Sequence, residues 1–202
     1  TNAAGTNTSC ILIAPGSIIA KGDITTSFQG CSGDAVMTIN GTGTQTVTGN
    51  TNGDSNYTDL IAVSMVPAIN IDKASGTLFF ASSIMVMRGW TYTQGTVDTS
   101  TNTSTIVMNG NYPFGYGQSA VVITGSMSFY NLMFYAGGAN GNGITYTVSS
   151  GTNLTVTNTL TYSDRDTNYT CTINGPGTIT AQGNIVATQA GCTGDIAVTL
   201  SG

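Results

Sequence analysis

The chain alternates apolar and polar residues over short stretches, separated by Gly, Asn and Pro-Gly. Ile18, Ala20, Gly22 and Ile24 stand at every second position, and so do Ala35, Met37 and Ile39. A period of two sends alternate side chains to opposite faces of an extended strand, so these stretches predict strands with one buried face. Val, Ile, Thr and Tyr dominate them, which are the residues that suit a pleated, half-buried surface. No stretch holds a 3.6-residue period and Glu is absent, so helices are not expected.

The same pattern recurs. Thr6 to Gly41 aligns with Thr167 to Gly202 at a constant offset of 161, without a gap, and 15 of the 36 paired positions are identical. Pro15-Gly16 falls on Pro176-Gly177, Cys10 on Cys171, Cys31 on Cys192, and Gly33-Asp34 on Gly194-Asp195. Residues 1–161 therefore form one full repeat and 162–202 begin the next, in one continuous architecture. Positions that should face the core stay apolar, as where Ala35, Met37 and Ile39 match Ile196, Val198 and Leu200. The intervening face drifts, with Ile19 against Thr180, Lys21 against Gln182 and Asp23 against Asn184. A looser half-repeat sets Tyr57–Leu60 against Phe129–Leu132 and Trp90–Thr93 against Leu160–Ser163.

Short strands repeated along a chain fit a β-solenoid or a string of β-sandwiches. Cysteine spacing favours the first. Cys10 and Cys31 are 21 residues apart, as are Cys171 and Cys192, and about 20 residues is a plausible coil. Stacked coils lie about 4.8 Å apart, within the Cα separation that a disulfide tolerates. The expected fold is all-β, a right-handed parallel β-solenoid with coils of about 20 residues and Cys10–Cys31 and Cys171–Cys192 bridges; tandem β-sandwich domains are the alternative. Paired cysteines place the chain outside the cytosol, at the cell surface or beyond it.

Composition narrows the function. Charged residues make up 6% of the chain, His and Glu are absent, and the net charge is −5. An acidic surface disfavours nucleic acid, and the lack of His removes most acid–base, nucleophilic and zinc sites. No apolar run reaches the length of a membrane helix. An enzyme is not expected, nor a cofactor, nor a membrane span, and a polysaccharide-cleaving pair of Asp residues is the weakest of the readings.

Phrases such as Gly151-Thr-Asn-Leu-Thr-Val-Thr-Asn-Thr-Leu-Thr161 and Gly177-Thr-Ile-Thr-Ala-Gln-Gly183 extend over nearly the whole chain. In them it resembles the repetitive, Thr/Asn/Gly-rich β-solenoid surface proteins of microbes, filamentous-haemagglutinin-like and autotransporter-adhesin-like. That resemblance implies a secreted or surface-anchored structural or adhesive role and transfers no functional residue.

Three local features are candidates for more. Tyr112, Tyr116 and Tyr130 belong to a cluster of aromatics between residues 112 and 135 and could stack on sugar rings. Asn50 to Asp59, with Asp54 and Asp59, is loosely like a calcium loop without its bidentate Glu; Asp164, Asp166 and Asn168 are similar, and polar turns explain both. Alternating threonines at 42–48, 99–105 and 155–161 could present rows of hydroxyls, though they share no single spacing. Neither end of the pattern looks finished. The expected role is therefore a structural protein that stacks head to tail with identical subunits or further repeats of the same chain. The alternative is an adhesin with glycans as its partner.

Overall fold

The computed structural model describes residues 16–26, 35–49, 64–110, 120–136, 143–164, 170–188 and 191–202, and the backbone alone of 10–12 and 31–33. The described residues wind through eight turns. The first holds β1 (Cys10–Leu12), β2 (Ser17–Ala20) and β3 (Ile24–Thr25); the second holds β4 (Cys31–Gly33), β5 (Val36–Ile39) and β6 (Gln45–Thr48). In the third, β7 (Ser64–Val66) is followed by the long β8 (Ala68–Phe80), and in the fourth β9 (Ile84–Met87) by β10 (Gly89–Asp98). The fifth holds β11 (Thr105–Asn109), β12 (Ala120–Thr124) and the start of β13 (Met127–Ala136). The rest of β13, then β14 (Ile144–Val148) and the start of β15 (Asn153–Asp164), make the sixth. The seventh takes the rest of β15, β16 (Cys171–Asn174) and β17 (Thr178–Ala181), and the eighth has β18 (Asn184–Thr188), β19 (Cys192–Thr193) and β20 (Ala197–Leu200).

Every turn thus contributes to three parallel ladders. Ladder A runs β1–β4 and then β7–β9–β11–β13–β15–β18; ladder B runs unbroken β2–β5–β8–β10–β12–β14–β16–β19. Ladder C runs β3–β6–β8–β10 and then β13–β15–β17–β20. Because β8 and β10 bend from B into C, those strands form one ten-stranded sheet, while β13 and β15 carry lower ladder C into A as an eight-stranded sheet. All pairings among the described residues are parallel, which rules out tandem antiparallel sandwiches and makes the chain a parallel β-solenoid.

Coil length is not uniform at 20. Ser17 lies opposite Val36 and Ser64 opposite Ile84, advances of 19 and 20 residues, but Thr105 lies opposite Asn131 and Ile144 opposite Cys171, advances of 26 and 27. Val36 opposite Ala68 and Gly89 opposite Val122 are 32 and 33 residues apart. A parallel ladder fixes only the strand register, so extra residues are absorbed at the corners.

The 161-residue repeat does not return to its own ladder. β1, β2 and β3 lie on ladders A, B and C, whereas their counterparts β16, β17 and β18 lie on B, C and A. One repeat advances six turns and one further side. The half-repeat behaves likewise: Trp90–Thr93 lie on ladder B and Leu160–Ser163 on ladder A, while Tyr57–Leu60 fall outside the described residues.

Inside, like side chains stack along the axis. Ile84, Ile106, Leu132, Leu160 and Ile185 form one row on ladder A; Met127, Leu154, Ile179 and Val198 form another on ladder C. Each fully buried aliphatic side chain contributes about 1.5–3 kcal/mol. Tyr146 is wholly buried among them, its hydroxyl 2.8 and 2.7 Å from the carbonyl oxygens of Met108 and Tyr135, to which it donates. Burial pushes its pKa well up, and pushes that of Tyr162, whose hydroxyl has no hydrogen-bond partner among the described residues, up to about 12.

Corners are tight. Gly125 turns from β12 into β13 with φ +90°, and a Cβ there would run into the carbonyl oxygen of Tyr92 in the turn before. Gly125→Ala is expected to cost about 1–3 kcal/mol from the left-handed backbone alone, with the clash added. A urea midpoint within error of the wild type would contradict this.

Candidate functional site

The last described turn leaves several apolar side chains in water. β20 is hydrogen-bonded to β17 on one side, and among the described residues nothing pairs with its other edge; β18 likewise pairs only with β15. Val198 is 37% and Leu200 71% exposed, with Ile185 at 42% beside them. Their counterparts in the first copy, Met37 and Ile39, are 8% and 0% exposed, because β8 covers β5. The same sequence pattern is thus core where a described turn covers it and surface where none is described. Leaving such a side chain fully in water forgoes about 1.5–3 kcal/mol.

That turn is stapled to its neighbour. Cys171 and Cys192 are ladder partners on B and are joined as a disulfide, with Cα atoms 4.4 Å apart. The bridge closes 21 residues, which in loop-entropy terms stabilises by about 3 kcal/mol. The double substitution of Cys171 and Cys192 by Ala is expected to lose about that much in a urea titration; a loss under about 1 kcal/mol would mean the ladder alone holds the last turn. Cys10 and Cys31 also lie opposite one another along the backbone, and their side chains are outside the described residues. A disulfide fits an oxidising compartment. No helix among the described residues is long and apolar enough to cross a membrane.

Two buried features went unnoticed in the sequence. At the corner between ladders B and C, Lys73 is buried and donates to the carbonyl oxygens of Gly41 and Gly43 (2.5 and 2.9 Å) and to Gln45 Oε1 (2.7 Å). Gln45 in turn donates through Nε2 to the carbonyls of Ala20 and Gly22. This polar column ties the first three turns together, and burial holds the Lys73 pKa below its ordinary value. On the outer side of ladder A, Met65, Met85, Met87, Val107 and Tyr135 form a second buried apolar layer with Met133 against it.

The aromatic and acidic candidates are not assembled. Tyr130 sits at the bulge where β13 passes from ladder C to ladder A; it is half-buried, and its N–H donates to Thr99 Oγ1 at 2.8 Å. Tyr112 and Tyr116 lie outside the described residues, as do Asp54, Asp59, Asp166 and Asn168, while Asp164 is buried at the end of β15. Among the described residues no three His, Cys, Asp or Glu side chains stand where they could hold a metal ion. Threonines 99–105 form a turn rather than a flat row. Asp98 accepts from the hydroxyls and N–H groups of Thr101 and Ser100, bonds that depress its pKa to about 2, with the Thr101 hydroxyl contributing most.

Comparison with protein-family models, curated proteins and solved structures gave no match.

Proposed function

We propose that this chain is a secreted structural protein whose β-solenoid adds rigid length to an extracellular filament, sheath or surface fibre by stacking turns head to tail. The observation that carries this reading is ladder B, which runs unbroken through eight parallel strands so that each turn is the template for the next. The Cys171–Cys192 disulfide supports an extracellular setting, because disulfides form and persist in oxidising compartments. Catalysis has no part in it, and the absence of His and Glu agrees with that. A heterologous contact of this kind repeats without closing, and so gives filaments instead of rings.

Light scattering and negative-stain microscopy across a concentration series test it. Filaments that lengthen with concentration, one solenoid wide, are the expected result. A particle that stays monomeric at micromolar concentration, yet binds a glycan on an array and loses it on Tyr112→Ala, Tyr116→Ala or Tyr130→Ala, would replace the fibre with a surface adhesin.

A further inference from the structure

We propose that the outer side of ladder B is a lateral interface between two copies of this chain, packed face to face about a twofold axis with Val122 of each seated over Gly89 of the other. Outside the last described turn, the large apolar side chains left exposed are Ile19, Val36 and Val122, and all three point outward from ladder B. Val36 and Val122 stand in one row that runs along the axis through Ser17, Val36, Ala68, Gly89, Val122 and Thr147. In that row Ala68 and Gly89 leave a shallow seat between the two valines. The contact lies on the flank of the solenoid, so it goes beyond head-to-tail stacking and does not depend on it.

Gly89 points the same way. Glycine weakens a strand, and inside one it marks a bulge, a sharp bend or the close approach of another backbone or ligand. Gly89 pairs in register with Val122, and the left-handed residue of this corner is Arg88, with φ 75°, so neither bulge nor bend needs a glycine at 89. A Cβ there would meet the Val122 carbonyl oxygen at 3.6 Å and the Ala68 Cβ at 3.8 Å, which are ordinary contacts. Because the next residue, Trp90, is buried inside, the missing side chain points outward. Nothing among the described residues asks for a glycine here; a partner lying close over it does.

The partner that fits is a second copy. The outward residues of β2, β5, β12, β14 and β16, and of β8 and β10 as far as Asn70 and Thr91, carry no charge, so nothing there recognises a phosphate or an ionic partner. None of them is aromatic, so nothing stacks on a sugar ring. What remains is a flat face ribbed at about 4.8 Å, and the same ribs belong to ladder B of another copy. Val122 and Gly89 are ladder partners in adjacent turns, so a twofold axis between them, along the strands, brings each valine over the other copy's glycine, the reciprocal contact of an isologous pair. Eight strands at that pitch, about three outward residues across, give roughly 34 Å by 14 Å, or about 500 Å² per partner. A standard stable interface takes about 800 Å² per partner, so the pair is weak and reversible.

Cross-linking traps such a pair. When a Val122→Cys chain and a Gly89→Cys chain are mixed under mild oxidation, the mixed disulfide dimer is expected to exceed either like pair by about tenfold, because the interface holds those two positions together. Sedimentation equilibrium of the wild type at high micromolar concentration is expected to show reversible dimers. Gly89→Val fills the seat and is expected to abolish them while the melting temperature holds or rises by a few degrees, since a β-branched residue suits a strand better than glycine. A glycine needed by the turn itself would instead lower it. Val122→Lys, at an exposed site, is expected to abolish the dimers with the melting temperature unchanged, and decides if Gly89→Val does not fold. A statistical mixture of disulfides, dimers indifferent to both variants, or a Gly89→Val chain that melts well below the wild type would each overturn the proposal. A monomeric wild type that binds a glycan array or lipid vesicles, and loses that binding on Val122→Lys, would put that ligand in place of the second copy. Paired chains that never lengthen into filaments support the interface and refute only the fibre, whereas single filaments without the mixed cross-link refute only the interface.

Discussion

Trp90→Ala is expected to cost about 3–5 kcal/mol and to lower the melting temperature by roughly 10 °C. The indole is wholly buried at the start of β10, where it stacks on ladder B between Ile69 and Ile123. It also reaches across the interior: its ring lies 6.0 Å from Phe80 and 5.3 Å from Phe129, and Nε1 donates to Met127 Sδ at 3.1 Å. Phe80 and Phe129 belong to ladder C in the third and fifth turns, and no ladder pairing joins β10 to β13 between them. Side-chain packing therefore bridges the two halves of ladder C where backbone bonds do not. Trp90→Phe keeps most of the apolar area and is expected to lose less than half as much. Urea unfolding with an unchanged slope checks both variants, and a Trp90→Ala loss under 1 kcal/mol would show that the bridge is carried elsewhere.

The period-two pattern was legible because strands on ladders B and C bury one face only. Ile144, Tyr146 and Val148 point inward while Thr145 and Thr147 alternate with them, as the rule requires. The three-sided path was not legible. Similarity between Ile18 and Ile179 records that both belong to a strand over the core, and ladders B and C offer that environment equally, so sequence carries no azimuth. The methionine layer escaped for a related reason. Met65, Met85, Met87 and Met133 stand at alternate positions that a half-buried strand would give to solvent, yet they pack with Val107 and Tyr135 into a second apolar cluster on the outer face of ladder A. The turn at Thr99–Ser104 did leave a signal: an Asp followed by Ser and Thr is a turn-capping arrangement, and the alternating threonines masked it.

Lys73 is the least legible residue of all, since Asp72-Lys73-Ala74-Ser75 reads as a solvated stretch. It is buried because the corner of the turn before points two carbonyl oxygens inward, and a neutral side chain could not satisfy them together with Gln45. Lys73→Met, which keeps the length and apolar stem, is expected to destabilise by about 3–5 kcal/mol, since it strands three acceptors at about 1–3 kcal/mol each, less whatever water recovers. The effect carries a pH signature. Burial lowers the Lys73 pKa, so between that lowered value and the ordinary 10.5 the unfolded chain holds more protons than the folded one, and stability rises with pH. The tyrosines act in the opposite sense: Tyr162, raised to about 12, and Tyr146 keep their protons in the fold, so above about pH 10 their contribution is lost as pH rises. Both variants share the tyrosines, so the difference between wild type and Lys73→Met isolates the lysine. That difference is expected to widen as pH approaches 10.5, read as urea midpoints at a series of alkaline pH values. A difference that stays level or narrows would mean that the carbonyl cage, and not desolvation, governs the protonation of Lys73.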